Sequence, residues 1–155
     1  MQKEINRKWL KVKQETFSLL DNGHIIGTIE KQPKKSEKAA KIRIGDEHYT
    51  MRAVGFWKNN YELVDEDGQV VLSTYHDKNC NSFHQLIFEG KHYKLSSSSN
   101  KKNEWVLLDN QKELMTYSLE PENGPEIKSQ TFIERIFDFV MHFLLYSEHQ
   151  YSAIY

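Results

Sequence analysis

Residues 132–146, reading FIERIFDFVMHFLLY, constrain this chain more than any other segment. Wound at 3.6 residues per turn, Ile136, Phe137, Phe139, Met141, Phe143 and Leu144 leave the helix axis in nearly every direction. A helix apolar on all sides must be buried on all sides. Its polar residues are few: Glu134, Asp138 and His142 follow one another at four-residue intervals and form a narrow stripe, with Arg135 beside it. Thr131 followed by Glu134 has the form of a capping box and predicts where the helix begins. Pro121, Gly124 and Pro125 separate this helix from what precedes it.

What precedes it is a repeat. Phe17, Leu19, Leu20 and Asp21 recur 44 positions later as Tyr61, Leu63, Val64 and Asp65, and again as Trp105, Leu107, Leu108 and Asp109. Turn residues follow each copy: Asn22-Gly23, Asp67-Gly68 and Asn110-Gln111. The aspartate before each turn is suited to accept hydrogen bonds from the turn backbone, which explains its recurrence without catalysis. HYTM at 48–51 and HYKL at 92–95 alternate polar and apolar residues, the mark of a half-buried strand. His48 and His92 therefore point outward, with Tyr49 and Tyr93 inward.

Strands are predicted near 9–13, 16–21, 24–31, 41–45, 48–54, 60–65, 69–75, 85–89, 92–97, 104–108 and 113–119. Three four-strand units are too few for a propeller. The economical arrangement is a mostly β fold: a closed antiparallel barrel of about eleven to twelve strands curled around the C-terminal helix, with no exposed sheet edge. The alternatives are a β-sandwich with the helix on one face and a peripheral protein whose last helix inserts into a bilayer, the latter disfavoured by the polar groups spaced along that helix. A chain of 155 residues predicts one domain spanning 1–155.

Hairpins in this order, aliphatic-Asp-turn repeats and an apolar C-terminal helix resemble the tubby C-terminal-like superfamily, which includes the LURP-one-related proteins and the phospholipid scramblases. LKVKQETFSLLDNGHIIGTIE looks like the family's first strands, YELVDEDGQVVLSTY like its middle hairpin, and FIERIFDFVMHFLLY like its central helix. The resemblance implies a barrel of about twelve strands around that helix, with residues 150–155 as a short last strand. It also implies a binding or adaptor role. Tubby domains bind phosphoinositides through basic side chains, and scramblases are linked to calcium and a membrane anchor. This chain matches neither the tubby C-terminal signature, nor an acidic calcium loop, nor an anchor cysteine, so no lipid-binding residue is carried over from the family.

Several residues suggest chemistry of their own. Lys31, Lys34, Lys35, Lys38 and Lys41 crowd a loop broken by Pro33. They read either as a patch for phosphates or anionic lipid, centred on Lys34, Lys35 and Lys38, or as a solvated hairpin loop. Residues 1–43 carry 11 Lys/Arg against 5 Asp/Glu, although the whole chain has a net charge of −1. That total argues against a dedicated nucleic-acid binder. His76, Cys80 and His84, with Asp77, suggest a metal site or a Cys–His pair, but their spacing matches no zinc pattern and a polar linker is the expected reading. On the helix, Arg135 is the expected partner of Asp138, and the stripe is read as structural; the alternative is that it faces a gap in the barrel.

No Gly-rich phosphate loop, G-x-S-x-G, HExxH or paired CxxC is present, so no catalytic, metal or cofactor residues are assigned. One cysteine, no apolar signal-length start and no run of about 20 apolar residues make a cytoplasmic protein without a transmembrane segment the expectation. The function expected is a non-enzymatic binding module for an anionic lipid headgroup or a protein partner. A barrel whose mouth holds a small molecule, as carrier or enzyme, is the alternative.

Overall fold

A strand that alternates buried and exposed side chains needs something to cover its apolar face, and here every strand has the same cover. The computed structural model describes residues 5–32, 38–55, 60–76, 83–98, 102–119, 124–129 and 134–154, with backbone only at 38, 83 and 147–154. The strands are β1 (Ile5–Lys13), β2 (Thr16–Asp21), β3 (His24–Lys31), β4 (Lys38–Ile44), β5 (Glu47–Val54) and β6 (Asn60–Val64). They continue as β7 (Val70–His76), β8 (Phe83–Phe88), β9 (Lys91–Ser97), β10 (Glu104–Asp109), β11 (Lys112–Ser118) and β12 (Glu126–Ser129), followed by α1 (Ile136–Ile154).

Each strand pairs antiparallel with its sequence neighbours, and β1 closes the ring on β12 with Ile5 opposite Ser129 and Lys8 opposite Glu126. The chain is therefore a closed twelve-stranded barrel. All tight turns that follow even-numbered strands, together with the start of α1, lie at one mouth; the β1–β2 turn and the end of β3 lie at the other.

The three recurring segments occupy β2, β6 and β10. In each, register slips between the two aliphatics: at Leu19/Leu20, Leu63/Val64 and Leu107/Leu108. Such bulges sharpen strand bending, which a closing sheet needs. The first aliphatic of each pair is fully buried. Asp65 accepts hydrogen bonds from the backbone N–H groups of Asp67 at 3.0 Å and Gln69 at 2.9 Å, the turn role anticipated for it.

α1 runs through the interior. Phe139, Val140, Met141 and His142 are all 0% exposed. Aromatic contacts reach the helix from all around the ring: Trp9 of β1 and Phe17 of β2, Tyr61 of β6, Phe88 of β8, Tyr93 of β9 and Tyr117 of β11. At Gly27 of β3 the wall lies close against the helix. A Cβ there would lie 2.1 Å from the Arg43 carbonyl oxygen and 2.8 Å from the Phe139 ring, so only glycine fits.

The structure corrects three boundaries. Residues 150–154 continue the helix and are not a last strand. The twelfth strand is β12, a four-residue piece directly after Pro125 with only Ile127 as an apolar inward residue, too short to show periodicity. It is positioned by Trp9, whose backbone N–H donates to the Pro125 carbonyl at 2.8 Å. Third, α1 begins at Ile136: Glu134 and Arg135 precede it, and their carbonyls accept from Phe137 and Asp138 in a tightened first turn. The capping residue Thr131 lies outside the described residues.

Candidate functional site

With α1 filling the barrel, the described residues group polar side chains on the outer wall of β3–β5 and in a small network around the helix. On the outer wall, cross-strand register aligns Thr28, Arg43 and His48 in one row, and Glu30, Lys41 and Thr50 in the next. Between them Ile42 turns inward at 2% exposure. These side chains line a shallow groove of about 310 Å³. Arg43 Nη1 donates to the Gly45 carbonyl at 2.8 Å, which holds the guanidinium across the β4–β5 turn. The His48 backbone N–H donates to Glu66 Oε1 at 3.2 Å.

A guanidinium, an amine, an imidazole and two hydroxyls thus share six neighbouring positions with one carboxylate, Glu30. Such a set suits an anionic, oxygen-rich group: guanidinium and ammonium for charge, threonine hydroxyls as donors. Nearby, Tyr49 donates to Glu47 and its phenol is pushed up to about 12, by burial first and then by this hydrogen bond.

The sequence-derived candidates fall out unevenly. Lys34 and Lys35 lie outside the described residues; Lys38 opens β4 opposite Arg52, and its side chain is not described. The lysine segment and the groove nonetheless belong to the same β3–β4 hairpin. His76 and His84 face each other across β7 and β8, rings 4.9 Å apart, while Cys80 and Asp77 lie outside the described residues. Among the described residues no three His, Cys, Asp or Glu side chains gather as metal ligands. His48 and His92 are exposed. Glu134 is exposed too and does not share the environment of Asp138 and His142, which are 1% and 0% exposed.

Around the helix, Asp138 is held by Arg7: Nε donates to Oδ2 at 2.6 Å and Nη2 to Oδ1 at 3.1 Å, while Nη1 donates to Ser129 Oγ at 3.1 Å. Burial pushes the Asp138 carboxyl up, and the Arg7 hydrogen bonds pull it back without cancelling the shift. Arg135, the partner expected from sequence, lies 3.7 Å from Asp21 and acts on Asp138 through its charge. Arg7 was missed although a signal exists: it precedes Trp9 by two residues, so both face the same way.

His142 is stacked on Trp9 at 4.2 Å, and its Nδ1 lies 2.7 Å from Tyr117 Oη. Burial pushes the imidazole well below its ordinary value and the Tyr117 phenol well above. His142 Nε2 and Trp9 Nε1 are buried without a hydrogen-bond partner. At the other mouth Lys31 Nζ sits 5.5 Å from the Phe143 ring centre and 5.8 Å from that of Tyr146. Burial lowers its amine to about 8.

No family model and no curated protein matches the chain. Its fold is similar to that of a protein from Arabidopsis thaliana solved by X-ray crystallography, with a TM-score of 0.69 at 9% identity, covering 94% of this chain and 91% of that one. At that identity the likeness is one of fold alone.

Proposed function

We propose that this chain is a non-enzymatic binding module of the tubby C-terminal-like superfamily, close in kind to the LURP-one-related proteins, that recognises an anionic lipid headgroup on the outer wall of β3–β5. It is read as a cytoplasmic protein that meets the membrane peripherally; no described helix is long and apolar enough to cross one. The observation that carries the reading is the pair of rows Thr28–Arg43–His48 and Glu30–Lys41–Thr50 on one face of the hairpin that also carries Lys34, Lys35 and Lys38. The filled interior supports a surface role over that of a carrier, because α1 occupies the volume in which barrels of this kind would hold a small molecule.

Vesicle co-sedimentation tests it. Phosphatidylcholine vesicles with and without a phosphoinositide are compared for wild type, Lys41→Ala/Arg43→Ala and Lys34→Ala/Lys35→Ala/Lys38→Ala. Each cation near an anionic surface contributes about 1 kcal/mol, so the double variant should bind roughly 30-fold more weakly. Equal binding by all three proteins removes the lipid reading, and retention of a protein partner by the same surface would replace it.

A further inference from the structure

Two imidazoles meet on the inner face of the barrel mouth that lies away from the start of α1. His76 is the last residue of β7 and stands directly opposite His84, the second residue of β8. Side chains alternate along a strand, so His76 faces the same way as Thr74, and His84 the same way as Leu86. Thr74 and Leu86 are opposite one another and buried, at 2% and 0% exposure. The two rings therefore extend the inward row of β7–β8 by one step, out to the rim, where both are half-buried and within reach of solvent.

The backbone beneath the pair is held on both sides. The His76 N–H donates to Asn60 Oδ1 at 3.1 Å, which ties the end of β7 to the start of β6. His84 is paired with the fully buried Leu95 of β9. The ring centres are 4.9 Å apart and the ring planes stand 54° from parallel. That is too tilted for a flat stack, and it matches the spacing that a shared ion imposes. A metal about 2.0–2.1 Å from one nitrogen of each imidazole lies roughly 3 Å from each ring centre, and at tetrahedral or square-planar angles the centres then stand about 4.5–5 Å apart.

We infer that His76 and His84 form a two-imidazole site for a divalent transition-metal ion of the copper, nickel and zinc group, with solvent completing its shell. Imidazole nitrogen suits these ions, whereas Mg²⁺ and Ca²⁺ prefer oxygen ligands and are poorly served by two ring nitrogens. The first-row order places Cu²⁺ tightest, with Ni²⁺ and Zn²⁺ behind it. An ion so held ties the last residue of β7 to the second of β8. It stabilises the rim of the barrel, because it binds the folded chain in preference to the unfolded one. The site uses neither Lys41 nor Arg43 and stands independently of lipid recognition.

Calorimetric titration of the full chain with Zn²⁺ and with Ni²⁺ tests the site. Wild type should take up one equivalent of either ion, and its thermal midpoint should rise with ion concentration. Mg²⁺ and Ca²⁺ should give neither heat nor shift. His76→Ala and His84→Ala should each bind roughly 100-fold more weakly, since a lone imidazole loses the advantage of a second donor held at a fixed distance. His48→Ala and His92→Ala, at exposed positions elsewhere, should leave affinity unchanged. So should Cys80→Ser, which removes the thiol that stands between the two histidines in sequence. Circular dichroism verifies folding, and where a variant does not fold, wild type alone still decides. Paramagnetic Ni²⁺ should broaden the resonances of His76 and His84 before those of any other histidine. A wild type that binds neither ion at millimolar concentration overturns the inference. So do full affinity in either folded histidine variant, lost affinity in Cys80→Ser, an equal response to Ca²⁺, or broadening centred on another histidine.

Discussion

Arg7 and Asp138 join the first strand to the helix by a two-pronged ion pair, with side chains only 6% and 1% exposed. Ser129 of the last strand accepts from the same guanidinium, so the network sits at the seam where β1 meets β12. Closing this barrel and placing its helix are thereby one event. Breaking one half of a buried pair leaves the other charge uncompensated, a loss of about 3–5 kcal/mol. Arg7→Met and Asp138→Asn should each lose stability on that scale in urea unfolding. Arg7→Met combined with Asp138→Leu should recover most of it, since neither charge remains. Additive losses in the double variant would show that the two residues act separately.

His142 gives stability a definite pH slope. Its folded pKa is depressed by burial below the ordinary 6.5, so the unfolded chain binds the proton more readily. Its contribution is complete above about pH 6.5 and is lost as pH falls toward the folded value. Asp138, raised by burial, has the opposite sign: its contribution declines as pH rises through its folded value. The two are separated by difference. The urea midpoint of wild type should fall between pH 7 and pH 5, and His142→Gln should flatten that fall. Identical slopes in the two proteins would remove His142 as the source.

The parts of this architecture that were legible in the sequence are those governed by burial over many residues. Phe137, Phe139 and Met141 on one helix demand enclosure whatever the detail, and the recurrence of Leu19, Leu63 and Leu107 marks three buried anchor points. Single contacts were not legible. Arg135 is the local choice for Asp138, but the side chain that closes on the carboxylate is Arg7, 131 residues away, brought there only by ring closure. The groove on β3–β5 was not legible: Arg43 opposite His48 follows from the tight β4–β5 turn, but Thr28 opposite Arg43 depends on a register set across the longer β3–β4 connection.

Gly27 should tolerate no side chain. In Gly27→Ala the new methyl would overlap the Arg43 carbonyl and the Phe139 ring, so either β3 must part from β4 or the helix must move. Forcing a methyl into a packed site is destabilising by about 1–3 kcal/mol, and a backbone oxygen at this distance places the loss at the upper end. Gly23, with nothing within 4 Å of its Cβ position but φ at +81°, is the control for backbone strain alone. Thermal melts should rank Gly27→Ala well below Gly23→Ala; the reverse order would contradict the tight approach of wall and helix.

Lys31 offers a test in the stabilising direction. Its ammonium is held against Phe143 and Tyr146, and burial lowers its pKa from 10.5 to about 8. That gap corresponds to roughly 3 kcal/mol of net penalty on the charged form. Contact with the rings returns only about 1 kcal/mol. Methionine keeps the alkyl stem on both rings and removes the charge, so Lys31→Met should raise stability at pH 7 by about 1–2 kcal/mol. The sign follows from the depressed pKa. Wild type gains stability from Lys31 as pH climbs from about 8 toward 10.5, because the unfolded chain still holds the proton there. The advantage of Lys31→Met should therefore shrink across that window and vanish above it. A variant less stable than wild type at neutral pH would mean that attraction to the rings outweighs desolvation.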